Sequence, residues 1–145
     1  MITKLKYIGV GRGDLIDIYI LFIRSVVEYC AVVWHSRLTR ELSDSLEIVQ
    51  KTCLRVILGD DYEGYSAALV TCGLVTLFQR REARCLTFAH RCLKHPTLRE
   101  MFPLNQNNVR NKHTSRELYE VNFARTETYK LSAIPYMQRK LNEEG

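Results

Sequence analysis

The chain has little that breaks a helix and little that makes an enzyme. Three prolines and seven glycines in 145 residues leave room for long helices. No serine, cysteine or histidine stands in a recognisable nucleophile motif, and no glycine-rich loop closes on Lys-Ser or Lys-Thr, so covalent catalysis and P-loop phosphate chemistry have no visible home. No cofactor is implied, and the chain is not expected to be a working enzyme by itself. The start lacks a charged segment leading into an uninterrupted apolar run, and the five cysteines, Cys30, Cys53, Cys72, Cys85 and Cys92, are odd in number. Both features argue against a secreted disulfide scaffold; the expected location is intracellular, in cytoplasm or nucleus. The most apolar stretch, Leu15 to Trp34, is long enough for a bilayer but carries Asp17, Arg24 and Glu28, each costly in hydrocarbon. It reads as a buried helix, with no membrane partner.

What is present is enough to build a core. Hydrophobic residues make up 46% of the chain and charged ones 26%, outside the disordered class. The net charge of +5 is unevenly placed. Residues 1–78 hold 8 Lys and Arg against 9 Asp and Glu, whereas residues 79–145 hold 13 against 7. A basic second half favours phosphate backbones or anionic surfaces as partners.

The expected fold is mainly α: a helical hairpin, a third long basic helix and an irregular C-terminal segment. Residues 1–13 end in Gly9-Val10-Gly11-Arg12-Gly13 and read as a flexible lead, like the cut end of something longer. Asp14 is placed to cap a first helix whose apolar stripe is Leu15, Ile18, Phe22, Val26, Tyr29 and Val33, ending near His35. Thr39 is the next N-cap, and Leu42, Leu46, Val49, Cys53 and Val56 repeat at helical spacing until Gly59 stops the helix. Asp60 to Gly64 reads as a turn, Tyr65 to Thr71 as a short helix closed by Gly73, and Leu77 to Lys94 as a third long helix stopped by His95-Pro96. Leu118 to Arg125 reads as extended, and Pro135 as the first turn of a last helix to Leu141. The domain plan is therefore a lead over 1–13, a helical domain over 14–101, a polar loop over 102–116 and a tail over 117–145.

On the third helix, Arg80, Arg84, Thr87, Arg91 and Lys94 fall within about 80° of arc at 100° per residue, a basic stripe about 21 Å long. Phe78, Cys85, Leu86, Phe88, Ala89, Cys92 and Leu93 form the core side. For a lone helix such a stripe is a solvated face; its lack of acidic partners at i,i+4 turns the reading toward phosphates. Asp60-Asp61 invites comparison with the metal-binding pair of polymerases, but an amphipathic helix running into Gly59 makes it a helix-ending turn. Cys85, His90, Cys92 and His95 hold four potential zinc ligands, yet His90 projects far from the two thiols around the helix. Buried thiols are the better reading, no metal site is assigned, and a cluster drawing on Cys72 stays open. Arg12-Gly13-Asp14 matches an adhesion tripeptide; the glycine is attributed to flexibility and the aspartate to capping.

Four segments carry a family resemblance. The first is Phe22-Ile23-Arg24-Ser25, Glu28-Tyr29-Cys30 and Val33-Trp34-His35, and the second is Leu46, Val49-Gln50, Leu54-Arg55 and Ile57-Leu58-Gly59. The third is Gly73-Leu74, Leu77 and Arg80-Arg81; the last is Phe123-Ala124-Arg125-Thr126, Tyr129, Ser132 and Ile134-Pro135-Tyr136. Together they resemble the region C-terminal to the polymerase core in reverse transcriptases of jockey-like non-LTR retrotransposons. The resemblance implies a thumb and connection that grip the template-primer duplex, with fingers, palm and catalytic aspartates supplied upstream. On that reading the chain is a non-catalytic fragment of an RNA-directed DNA polymerase. Its partners are RNA or an RNA–DNA duplex, held by Arg80, Arg84, Arg91 and Lys94 with Arg81 and Arg125 as outliers, and the missing palm and fingers. Two alternatives stand beside it: a helical protein-interaction module whose exposed apolar surface drives self-association, and a retroelement relic with no present role.

Overall fold

The computed structural model describes residues 1–105 and 118–144. Among these, regular structure is helical apart from one antiparallel bridge, Leu104 with Tyr119; the fold is mainly α. No helix of the described residues is long and apolar enough to cross a membrane. The chain divides into two units, residues 1–29 with 39–80, and residues 30–38 with 81–145.

The expected plan divided the chain differently. The sequence placed a boundary at 102, in a polar run, whereas the two units divide between Arg80 and Arg81, within the Leu77–Lys94 helix; Met137 and Leu141 of the expected tail lie in a core with Cys85, Ala89, Cys92 and Phe102. Most of the polar loop, residues 106–117, lies outside the described residues.

In the first unit the lead, expected to be flexible, is a helix, Ile2–Tyr7. Ile2 is buried and Leu5 packs beside it against Leu54, Ile57 and Leu58. Lys6 explains the docking: its ammonium donates to the Val56 carbonyl at 2.7 Å and to that of Ile57 at 3.3 Å. Those carbonyls end the Arg40–Leu58 helix, where a cation satisfies acceptors left without intrahelical donors and meets the negative end of the dipole.

The expected first helix is interrupted twice. Residues 12–18 are α-helical with Gly11 as N-cap, so Asp14 is a first-turn acid and not the cap. Tyr19–Arg24 form a π-helix, and Cys30 adopts φ +51° in the left-handed region, after which Ala31–Trp34 and the 3₁₀ turn His35–Arg37 belong to the second unit. The wide π-turn breaks the 3.6-residue register, so the apolar stripe does not stay inward. Leu15, Tyr19, Glu28, Ala31 and His35 are buried, while Phe22 and Val26 are 61% and 75% exposed; Tyr29 and Val33 are exposed as well.

Arg40–Leu58 keeps the expected bounds. The Thr39 hydroxyl accepts from Leu42 N at 3.3 Å, and Gly59 ends the helix at φ +62°. Its buried face is rotated by one residue from the expected one: Glu47, Gln50, Leu54 and Ile57 are inside, whereas Leu42 is exposed. Two of these are polar, and both have partners. Gln50 accepts from the Tyr19 hydroxyl at 2.6 Å and donates to the Tyr65 hydroxyl at 2.8 Å and the Val75 carbonyl at 2.9 Å. The Glu47 carboxylate accepts from the Tyr65 hydroxyl and from Leu77 N at 3.0 Å. A buried polar group with its hydrogen bonds made is tolerated in a core, and hydropathy alone does not find such a face.

In the second unit Cys85, Ala89 and Cys92 of the Leu77–Lys94 helix pack with Phe102, Met137 and Leu141. The last helix, Ala133–Glu144, has Pro135 in its first turn as expected. Its amides pin the segments around Met101, Tyr119 and Asn122: Gln138 donates to the Met101 carbonyl at 2.9 Å and accepts from Asn122 N at 3.1 Å. Asn142 accepts from Tyr119 N at 2.8 Å and donates to the Tyr119 carbonyl at 2.9 Å. The 3₁₀ turn is tied down by Ser36 donating to the Leu131 carbonyl at 2.7 Å and by His35 Nε2, 3.2 Å from the Tyr136 hydroxyl.

Candidate nucleic-acid interface

The six candidate cations separate into four groups. Arg80, in the first unit, donates from Nε to Glu28 Oε2 at 2.8 Å, and Glu28 is 3% exposed. The stripe therefore does have an acidic partner at its start, one that comes from 52 residues earlier in the chain. Arg81 is 0% exposed, with its guanidinium 5.9 Å from the centroid of the Trp34 ring. A buried guanidinium against an aromatic face is a packing element and cannot reach a phosphate at the surface, so Arg81 is removed from the interface.

On the helix Arg84, Arg91 and Lys94 remain, all exposed and all in the second unit. They project at about 120°, 100° and 40° on the helical wheel, roughly opposite the wall of Cys85, Ala89 and Cys92. Arg84 and Lys94 are about 15 Å apart along the axis at 1.5 Å per residue. Thr87, which lies between them, turns its hydroxyl back to the Ala83 carbonyl at 2.9 Å. Arg91 and Lys94 occupy the last helical turn, where the dipole also favours cations. Arg125 is exposed in a different segment, before the short Glu127–Lys130 helix.

Two acids of the second unit have basic partners. Glu82 accepts from Lys140 at 2.9 Å, and Lys140 also meets Glu143 at 2.8 Å; these hydrogen bonds, Glu143 first, hold the ammonium pKa above its ordinary value. Glu144 lies 2.9 Å from His90 Nε2.

Other motifs resolve into structure. Arg12 and Asp14 lie in the first turn of a helix, and Arg12 is ion-paired with Asp61, so the adhesion tripeptide is helix and the Asp60-Asp61 pair is a 3₁₀ turn after Gly59. Cys85 and Cys92 are buried; burial pushes the Cys85 thiol up to about 11 and raises Cys92 as well. Neither is poised as thiolate nucleophile or ligand. Cys53 and Cys72 are raised by burial too. Among the described residues no group of three or more His, Cys, Asp or Glu side chains could hold a metal ion.

The sequence missed two exposed apolar features, one in each unit. Phe88 was assigned to the core side but is 39% exposed, and Leu21, Phe22, Val26 and Tyr29 form an exposed apolar run in the first unit. The i−4 and i+3 arginines around Phe88 were a readable signal; the turn at 19–24 was not. No protein-family model, curated protein or solved structure matches the chain.

Proposed function

We propose that the chain is a non-catalytic module of a non-LTR retrotransposon RNA-directed DNA polymerase, and that it holds an RNA or RNA–DNA duplex through backbone contacts. The observation that carries the binding part is the alignment of Arg84, Arg91 and Lys94 on the solvent side of one helix. Contacts from such a stripe reach phosphates and not base edges, so binding is weakly sequence-specific and steeply salt-dependent. The assignment to the polymerase family rests on the resemblance of the four sequence segments. The catalytic palm and fingers are then the partners of this module, and the role is positioning. Titrating the purified chain with an RNA–DNA hybrid, alone and with Arg84, Arg91 and Lys94 changed to Gln, tests this. A folded triple variant that binds as well as the wild type removes the site.

A second reading, a protein-interaction module, draws on the exposed run Leu21, Phe22, Val26 and Tyr29. Exposed contiguous apolar side chains mark association surfaces. Light scattering over a concentration series separates the two readings. A mass that rises with concentration supports self-association, and a monomer with strong duplex affinity supports the first reading.

A further inference from the structure

Phe88 lies in the second unit on the same helix as the basic residues, with 39% of its surface open, while Cys85, Ala89 and Cys92 close the core beside it. At 100° per residue it projects about 40° from Arg84 and about 60° from Arg91. The two arginines stand at i−4 and i+3, the spacings at which helix side chains are neighbours. A partly exposed aromatic side chain thus adjoins the cationic stripe at its middle. A duplex offers this ring little, because its bases are stacked on one another. An unpaired base offers a π-face with a phosphate on either side, the combination that single-strand sites read with aromatic platforms and basic grooves.

We infer that Phe88 is a stacking platform for an unpaired base, with Arg84, Arg91 and Lys94 holding the flanking phosphates, so that the helix recognises the place where a duplex gives way to a single strand. The inference rests on the nucleic-acid reading above and narrows its ligand. Stacking tolerates any base, so the site selects strandedness and not sequence.

The test compares a blunt RNA–DNA hybrid with the same hybrid carrying a short unpaired RNA overhang, by anisotropy at fixed salt. The full wild-type chain is expected to bind the overhang form about 5- to 150-fold more tightly, the range that one base–aromatic stack supplies. Phe88→Leu, which keeps an apolar side chain at the core edge, is expected to erase that preference and leave blunt-hybrid affinity unchanged; Phe88→Tyr is expected to retain it. Equal binding of the two hybrids by the wild type overturns the stacking site while leaving the phosphate stripe in place. The same holds if Phe88→Leu keeps the full preference. A folded chain that binds neither hybrid at low salt overturns both readings. Should Phe88→Leu lose its helical circular dichroism, the wild-type preference and the Phe88→Tyr comparison decide.

Discussion

Arg80 donates to Glu28 at 2.8 Å, and this pair decides where the basic stripe begins. Glu28 is buried and comes from a segment that the sequence assigned to a different stripe altogether. Arg80 therefore serves the first unit, and the solvent-facing stripe starts at Arg84. Removing one member of a largely buried ion pair costs more than removing a surface charge. We expect Arg80→Gln to destabilise the protein by about 2 kcal/mol while the folded variant keeps its affinity for an RNA–DNA hybrid. Urea melts and anisotropy on the same preparation check this; a loss of binding without a loss of stability would place Arg80 back in the interface.

Glu47 joins two helices through one oxygen. It accepts from Leu77 N, the first residue of the Leu77–Lys94 helix, and from the Tyr65 hydroxyl. Burial, and then the hydrogen bond to Glu47, raises the Tyr65 pKa, so the phenol stays a donor. Glu47→Ala strands both donors in a core and should cost about 3 kcal/mol, with Glu47→Gln costing less. Thermal melts followed by circular dichroism measure the difference, and equal stability of the two variants contradicts the capping role.

Gly59 is held at φ +62°, and a Cβ there would stand 2.5 Å from Lys6 Nζ. The flexible ammonium can move aside, whereas the backbone cannot, so the main cost of Gly59→Ala is conformational. A loss of about 2 kcal/mol in chemical denaturation is expected. Lys6→Met should show a smaller loss through the C-terminal carbonyls of the Arg40–Leu58 helix.

His35 gives a pH signature. Its pKa is lowered below the ordinary histidine value, first by burial and then by the positive charge of Arg81. The folded form resists protonation while the unfolded form protonates near 6.5. Stability is therefore fully present above about pH 6.5 and is lost as the pH falls from there through the folded-state pKa, by at most about 1.4 kcal/mol per pH unit. The urea midpoint should drop between pH 7.5 and pH 5.5 more steeply in the wild type than in His35→Gln, and parallel pH profiles would sink the assignment.

The sequence told much about where helices lie and less about which way they face. The Thr39 cap, the Gly59 stop and the bounds of the Leu77–Lys94 helix were all legible, because caps and breakers act locally. The buried face of Arg40–Leu58 was misread by one residue because Glu47 and Gln50 are buried with partners drawn from Tyr65, Leu77 and Tyr19, which no local pattern reveals. The stripe through Phe22 and Val26 failed at the π-turn, whose extra residue per turn leaves no compositional trace. Of the candidate cations, Arg84, Arg91 and Lys94 kept their exposed places. Arg80 and Arg81 did not, since an arginine facing a distant Glu28 or an indole ring looks in sequence like any other surface arginine.

The central claim is tested most directly by the salt dependence of binding to an RNA–DNA hybrid. With Arg84, Arg91 and Lys94 each neutralising one phosphate, the logarithm of the affinity should fall with the logarithm of salt concentration with a slope of about −3. Each change to Gln should make the slope shallower by about 1. A folded, helical chain whose binding is absent at low salt, or whose salt slope is unmoved by the three substitutions, would contradict the account.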